Sequence, residues 1–220
     1  MKICITGAAS LVARKVIEVL ELSHTLTLVD IKYPPDFSLY SSSPQTRKFV
    51  GSVADRNFIK ETFKGQDAVI HMAIANGASD PPPLDGEKWK VNVGGTLIVI
   101  QEAVAAGVKK IIYTSSLSVF DGYEGFAEES GMINGITEET EPKQASFYGF
   151  TKYLGELIIK FYAEKYGIKS VVLRLISVDP EKGLKGWVES VEPRFRTPSR
   201  DVAQAFKLCF NHRHFALRIN

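Results

Sequence analysis

Tyr148-Gly149-Phe150-Thr151-Lys152 places a phenol four residues before an amine. On a helix such positions share a face. An ammonium beside a phenol favours phenolate and so lowers a pKa that is near 10 when unperturbed. A phenol tuned toward neutral pH can take the proton of a substrate hydroxyl while a hydride departs from the same carbon. Ser116 closes an apolar run upstream, with a hydroxyl at a strand end. The plainer readings are a surface tyrosine next to a solvated lysine and a turn serine at a strand end.

A second constellation opens the chain. Thr6-Gly7-Ala8-Ala9-Ser10-Leu11-Val12-Ala13 has small residues spaced Gly-x-x-Ser-x-x-Ala at a strand-to-helix turn. Such a turn lets backbone approach a pyrophosphate and aims a helix N-terminus at it. Gly7, Ser10 and Leu11 are the candidate phosphate contacts. Ser10 either crowds the phosphate or bonds it. Asp30 ends the next strand pattern, where an acid accepts hydrogen bonds from ribose hydroxyls and repels a 2′-phosphate. The expected ligand is therefore NAD rather than NADP, with Lys32 as a modest counterweight.

These residues need a scaffold, and the chain alternates to supply one. Strand patterns run over 2–6, 25–30, 47–50, 68–71, 108–114 and 170–175. Helical patterns fill 11–22, 55–63 with Asp55 as N-cap, a stretch through 97–106 beginning before Asn92, and 146–166. Alternation of this kind predicts an α/β fold: a doubly wound, Rossmann-like parallel sheet with right-handed crossovers. Ligands then bind beyond the carboxyl ends of the strands. Residues 1–220 read as one dinucleotide-binding domain, with a small C-terminal substrate lobe from about 180–200. Loops at 32–46, 76–86 and 121–145 are long enough to serve as binding loops.

The order of motifs resembles the extended short-chain dehydrogenase/reductase family, the NAD-dependent epimerase/dehydratase group. Gly51-Ser52-Val53-Ala54-Asp55 resembles its segment flanking adenine, with Ser52 for the usual acid. Val69-Ile70-His71-Met72-Ala73 resembles the strand lining the cofactor, and Val91-Asn92-Val93-Gly94-Gly95-Thr96 its Asn-x-x-Gly-Thr segment. Tyr113-Thr114-Ser115-Ser116-Leu117-Ser118-Val119-Phe120 resembles its Ser-Ser-x-x-x-Tyr strand end, with Phe120 for Tyr. The resemblance implies Ser116, Tyr148 and Lys152 as the catalytic set. It implies Ser52, Val53, Met72, Ala73, Asn92 and Lys152 around the cofactor, with Asn92 supporting the lysine. Leu117-Ser118 stands where family dehydratases carry Asp-Glu, which disfavours dehydration, and where decarboxylases usually keep a Glu.

The size and the Leu173-Arg174-Leu175-Ile176-Ser177 segment are similar to the uronate dehydrogenase branch. There Ser116, Leu117 and Arg174 would face substrate; Arg174 is equally readable as an arginine paired to a nearby acid. An NAD-dependent sugar or sugar-acid dehydrogenase is the leading expectation. The alternatives are a nucleotide-sugar epimerase and a non-catalytic dinucleotide-binding sensor or scaffold.

Bulk properties narrow the partners. A net charge of +2 gives no nucleic-acid footprint, and no apolar run reaches membrane-spanning length. Residues 121–142 hold seven acids and no Lys or Arg, whereas 181–220 hold eight bases against four acids, a candidate wall for an anionic substrate. Cys4 and Cys209 are too scattered for a disulfide or metal pair, so no metal is expected and a cytoplasmic setting is. Phe147, Phe150, Leu154, Leu157, Ile158, Phe161 and Tyr162 exceed one core-facing stripe. That excess fits the four-helix homodimer interface that the resemblance implies.

Overall fold

The first strand, β1 (Lys2–Thr6), is buried apart from its first residue and pairs in parallel with two others. It is central because both faces of Ile3, Cys4 and Ile5 meet apolar neighbours, as a parallel sheet requires. The computed structural model describes residues 1–35, 41, 43–75, 86–124, 126, 136–179 and 197–211. The expected lobe near 180–200 lies almost wholly outside the described residues, as does much of the 121–145 insertion.

Six parallel strands follow the order β3-β2-β1-β4-β5-β6, with β2 (Thr25–Asp30), β3 (Arg47–Val50), β4 (Ala68–His71), β5 (Lys110–Ser116) and β6 (Lys169–Leu175). The order reverses between β1 and β4, which opens a crevice at their carboxyl ends. On one face, α1 (Leu11–Leu20) and α6 (Ser199–Asn211) pack against Ile3, Ile5, Ile112 and Leu173. On the other, α2 (Arg56–Thr62), α4 (Thr96–Ala105) and α5 (Phe147–Tyr166) cover Cys4, Val69, Ile111 and Tyr113. A two-residue pair, β7 (Val178–Asp179) with β8 (Thr197–Pro198), precedes α6.

Local chemistry sets the helix starts. Asp55 caps α2 by accepting from the Phe58 amide, and Ser146 caps α5 by accepting from the Gly149 amide at 2.9 Å. The helix through Asn92 is not regular: α3 (Gly86–Lys88) runs into a π-helical segment, Trp89–Gly95, before α4 begins. Such wide turns concentrate at functional sites. Among the described residues no helix is long and apolar enough to cross a membrane.

Candidate active site

Five of the six strands deliver sequence-predicted residues to the same edge of the sheet. Gly7 follows β1, Asp30 ends β2, Gly51 and Ser52 follow β3, Met72 follows β4, and Ser116 ends β5. Gly7 has φ +74°, and a side chain there would fall 2.6 Å from the Ala73 amide nitrogen. The turn thus needs glycine for two reasons, its left-handed backbone and its contact with the end of β4. The Asp30 carboxylate accepts from the Ala9 amide at 2.9 Å, so the acid also holds this turn in shape. Ser10 is the N-cap of α1: its hydroxyl accepts from the Ala13 amide at 3.3 Å. Ser10 therefore turns its oxygen to the helix rather than filling a glycine's place. Leu11 is exposed beside it, and Val53 lies buried under Gly95. Ser52 caps its own turn by accepting from the Ala54 amide at 3.1 Å.

The catalytic candidates converge. The Tyr148 hydroxyl faces Ser116, which acts to lower the phenol's pKa. Ser116 also caps the 3-10 turn Leu117–Phe120, accepting from the Ser118 amide at 3.1 Å. The approach is possible because Gly149 has no side chain: a Cβ there would sit 2.1 Å from the Ser118 carbonyl oxygen. Lys152 is 3% exposed. Its Nζ donates to the Thr114 carbonyl at 2.7 Å and lies 5.3 Å from the Tyr113 ring centre and 5.9 Å from that of Tyr148.

The electrostatics correct one expectation. Lys152 was expected to lower the Tyr148 pKa, yet burial raises it, with Ser116 opposing. The reason is that the lysine is buried too: desolvation brings its own pKa down to about 7, against a raising effect of Glu156. Taking the amine out of water weakens its hold on a proton, and with it the positive charge it can offer the phenol.

Asn92 is not a surface amide but 1% exposed. Its Oδ1 accepts from the Ala75 amide at 2.8 Å and its Nδ2 donates to Thr151 Oγ1 at 3.2 Å. Thr151 in turn donates to the Tyr148 carbonyl at 2.9 Å. His71 lies beneath, with Nδ1 2.7 Å from Thr6 Oγ1 and Nε2 3.0 Å from Thr96 Oγ1. Thr96 already donates its hydroxyl proton to the Asn92 carbonyl at 2.6 Å. Nε2 must then carry the imidazole proton, and Thr6 donates to Nδ1. This tie from the glycine turn to α5 escaped the sequence reading, because single threonines and a strand histidine carry no spacing signal.

Arg174 is the paired arginine of the two readings. Its Nε and Nη2 donate to the two Glu156 carboxylate oxygens at 2.9 and 2.7 Å, and it stacks on Phe120 at 4.7 Å. Beside it, a cavity of about 500 Å³ runs between α5 and β6, lined by Leu117, Phe120, Tyr153 and the acids Glu138, Glu139 and Glu141. Ser116 and Tyr148 do not line it. Among the described residues no cluster of potential ligands could hold a metal.

A crevice at a strand-order switch, a glycine turn backed by an acid at the end of β2, and a Ser–Tyr–Lys group on the same edge define a dinucleotide-binding α/β protein. Residues 3–182 match the NAD dependent epimerase/dehydratase family, and the chain belongs to it. It is 28% identical over 182 residues to L-arabinose 1-dehydrogenase (NAD(P)(+)) of Haloferax volcanii, spanning 79% of this chain and 66% of that protein. It is 29% identical to uronate dehydrogenase of Pseudomonas syringae pv. tomato, spanning 82% of this chain and 60% of that one. The chain thus spans under two thirds of the length of these relatives. The fold matches that of MoeE5 in complex with UDP-glucuronic acid and NAD at a TM-score of 0.79, with 22% identity over 97% of this chain and 73% of that one. NAD is the cofactor the family binds, and the Gly7 cradle, the α1 N-terminus and Asp30 fit it.

Proposed function

We propose that this chain is an NAD-dependent oxidoreductase acting on a hydroxyl of a sugar or sugar acid. The observation that carries the reading is the buried Lys152, anchored on the Thr114 carbonyl beside Tyr148 and the Ser116 end of β5, at the sheet edge that also holds Gly7 and Asp30. When bound, NAD accepts the hydride from the substrate carbon. Ser116 orients the substrate oxygen, and Tyr148, reacting as the phenolate, takes its proton as the carbonyl forms. Lys152, buried beside the phenol, would favour the phenolate by its charge and bond the nicotinamide ribose. Asp30 receives the adenosine ribose, and Ser52, Val53, Met72 and Ala73 flank the rest of the dinucleotide. Residues 1–220 act as one cofactor-binding unit, with substrate contacts from Leu117 and from about 180–200, working as a homodimer in the cytoplasm.

The test is spectrophotometric. Purified protein is incubated with NAD or NADP and a panel of uronates, aldoses and nucleotide sugars, and reduced nicotinamide is followed. Reduction with an aldose or uronate, faster with NAD, is the expected result. Interconversion of nucleotide sugars without net reduction would assign an epimerase instead. A chain that binds NAD and turns over nothing in the panel would point to a sensor.

A further inference from the structure

Glu156 lies one helical turn beyond Lys152, so the two side chains share a face of α5 and both are buried. Its carboxylate is held by three hydrogen bonds from two residues. Ser115 donates its hydroxyl to Oε1, and Arg174 supplies two parallel bonds from β6. Ser115 is the neighbour of Ser116 and follows Thr114, whose carbonyl anchors the Lys152 ammonium. One acid therefore joins the helix carrying Tyr148 and Lys152 to the strand end carrying Ser116. Arg174 is consumed in this bridge rather than offered to a ligand.

We propose that Glu156, fixed by Arg174 and Ser115, is a positioning residue: it locks Lys152 against the Ser116 end of β5 and supplies the counter-charge that keeps the lysine protonated. The inference rests on Tyr148 and Lys152 being the reacting pair. Among the described residues, the other groups around the amine give it no such help. Tyr113 from β5 and Tyr148 from α5 are neutral phenols held high by burial, and His71 from β4 is neutral. Arg174 from β6 is opposite in sign to the need, but it faces Glu156 first. Glu156 is the group that raises the Lys152 pKa against desolvation, leaving it at about 7.

The test follows Lys152 directly, in protein labelled with ¹⁵N-lysine. Solvated lysines titrate near 10.4, so a Nζ resonance with a midpoint near 7 stands apart, and Lys152→Met assigns it by its loss. Glu156→Gln alone strands a buried guanidinium and is expected to fold poorly. Glu156→Gln/Arg174→Met removes both charges while keeping an acceptor for Ser115, and is expected to fold. In that double variant the Lys152 midpoint should fall by roughly one pH unit, the effect of losing a nearby opposite charge. Any oxidation rate should lose its alkaline limb at correspondingly lower pH. An unchanged midpoint in the folded double variant would reduce Glu156 to a structural bridge and overturn the proposal. The readout needs no substrate. A lowered midpoint in a protein that oxidises nothing would therefore uphold the Glu156 role and sink the proposed reaction.

Discussion

At the scale of single residues the proposed chemistry turns on a few atoms, above all the Tyr148 oxygen. Tyr148→Phe keeps the ring and its packing and deletes only the ionisable oxygen that faces Ser116. Turnover of any substrate the protein oxidises should fall by about 10²–10⁴-fold, the usual yield of a placed acid/base, while the NAD-induced rise in melting temperature stays. Near-full turnover would exclude Tyr148 as acid/base. His71 makes a second, pH-linked prediction. Burial, then the Lys152 charge, lowers its pKa to about 3, whereas the unfolded chain returns it to about 6.5. A depressed folded pKa means that its contribution is fully present above the unfolded value and is lost as pH falls from about 6.5 toward 3, since the unfolded state binds the extra proton. A few kcal/mol are at stake. His71→Asn should be the less stable protein at neutral pH, having lost its ties to Thr6 and Thr96. Its melting temperature should nonetheless fall less steeply than wild type on acidification, as calorimetry between pH 7 and 4 can show. At this scale the sequence exposed Ser116, Tyr148 and Lys152 through fixed spacing. Thr151, Thr96 and the Thr114 carbonyl stayed hidden, because their partners are set by how elements meet. Glu156 could have been found, four residues past Lys152 on the same face.

Elements set the distances between those atoms. The first turn of α5 must lie against the 3-10 turn after Ser116, or Tyr148 and Ser116 separate. Gly149 is the point of closest approach, with the Ser118 carbonyl where a methyl would go. Backbone cannot rotate aside as a side chain does. Gly149→Ala should therefore push the start of α5 outward, at a cost of about 1–3 kcal/mol from overpacking, partly offset by about 1 kcal/mol of helix propensity. Activity should fall at least as far as in a mild acid/base defect. NAD affinity should hold, because Gly7 and Asp30 sit on other elements. A fully active Gly149→Ala protein would show that the helix start has slack. All six strands were legible from their apolar runs, and Asp55 marked one helix start as a cap does. The π-helical Trp89–Gly95 was not legible. Its residues pattern like any helix, and only the buried fit of Asn92 between Ala75 and Thr151 gives the wide turn its reason.

At the scale of the molecule, one face still needs explaining. Phe150, Leu157 and Phe161 lie seven and four residues apart on α5 and are 40%, 43% and 56% exposed, although the same helix buries Gly149, Thr151, Lys152, Glu156 and Ile159 against the sheet. A helix with one core face should show a single apolar stripe, and α5 shows two. Trp89, 48% exposed at the head of the neighbouring π-helical segment, extends the apolar surface, and Gln101 of α4 ties the two helices by donating to the Tyr162 hydroxyl at 2.7 Å. Two helices presenting such a face fit a second copy related by a two-fold axis, which pairs like with like. The expectation is a dimer at micromolar concentration by sedimentation. Leu157→Glu/Phe161→Glu places two charges in the centre of the patch, where pairing would bury them unpaired. That variant should sediment as a monomer with its melting temperature shifted little in dilute solution, since neither side chain enters the described core. The active site lies on the opposite face of α5, so NAD binding should survive in the monomer. A wild type that remains monomeric at high concentration, or a double variant that still dimerises, would rule this face out as the interface.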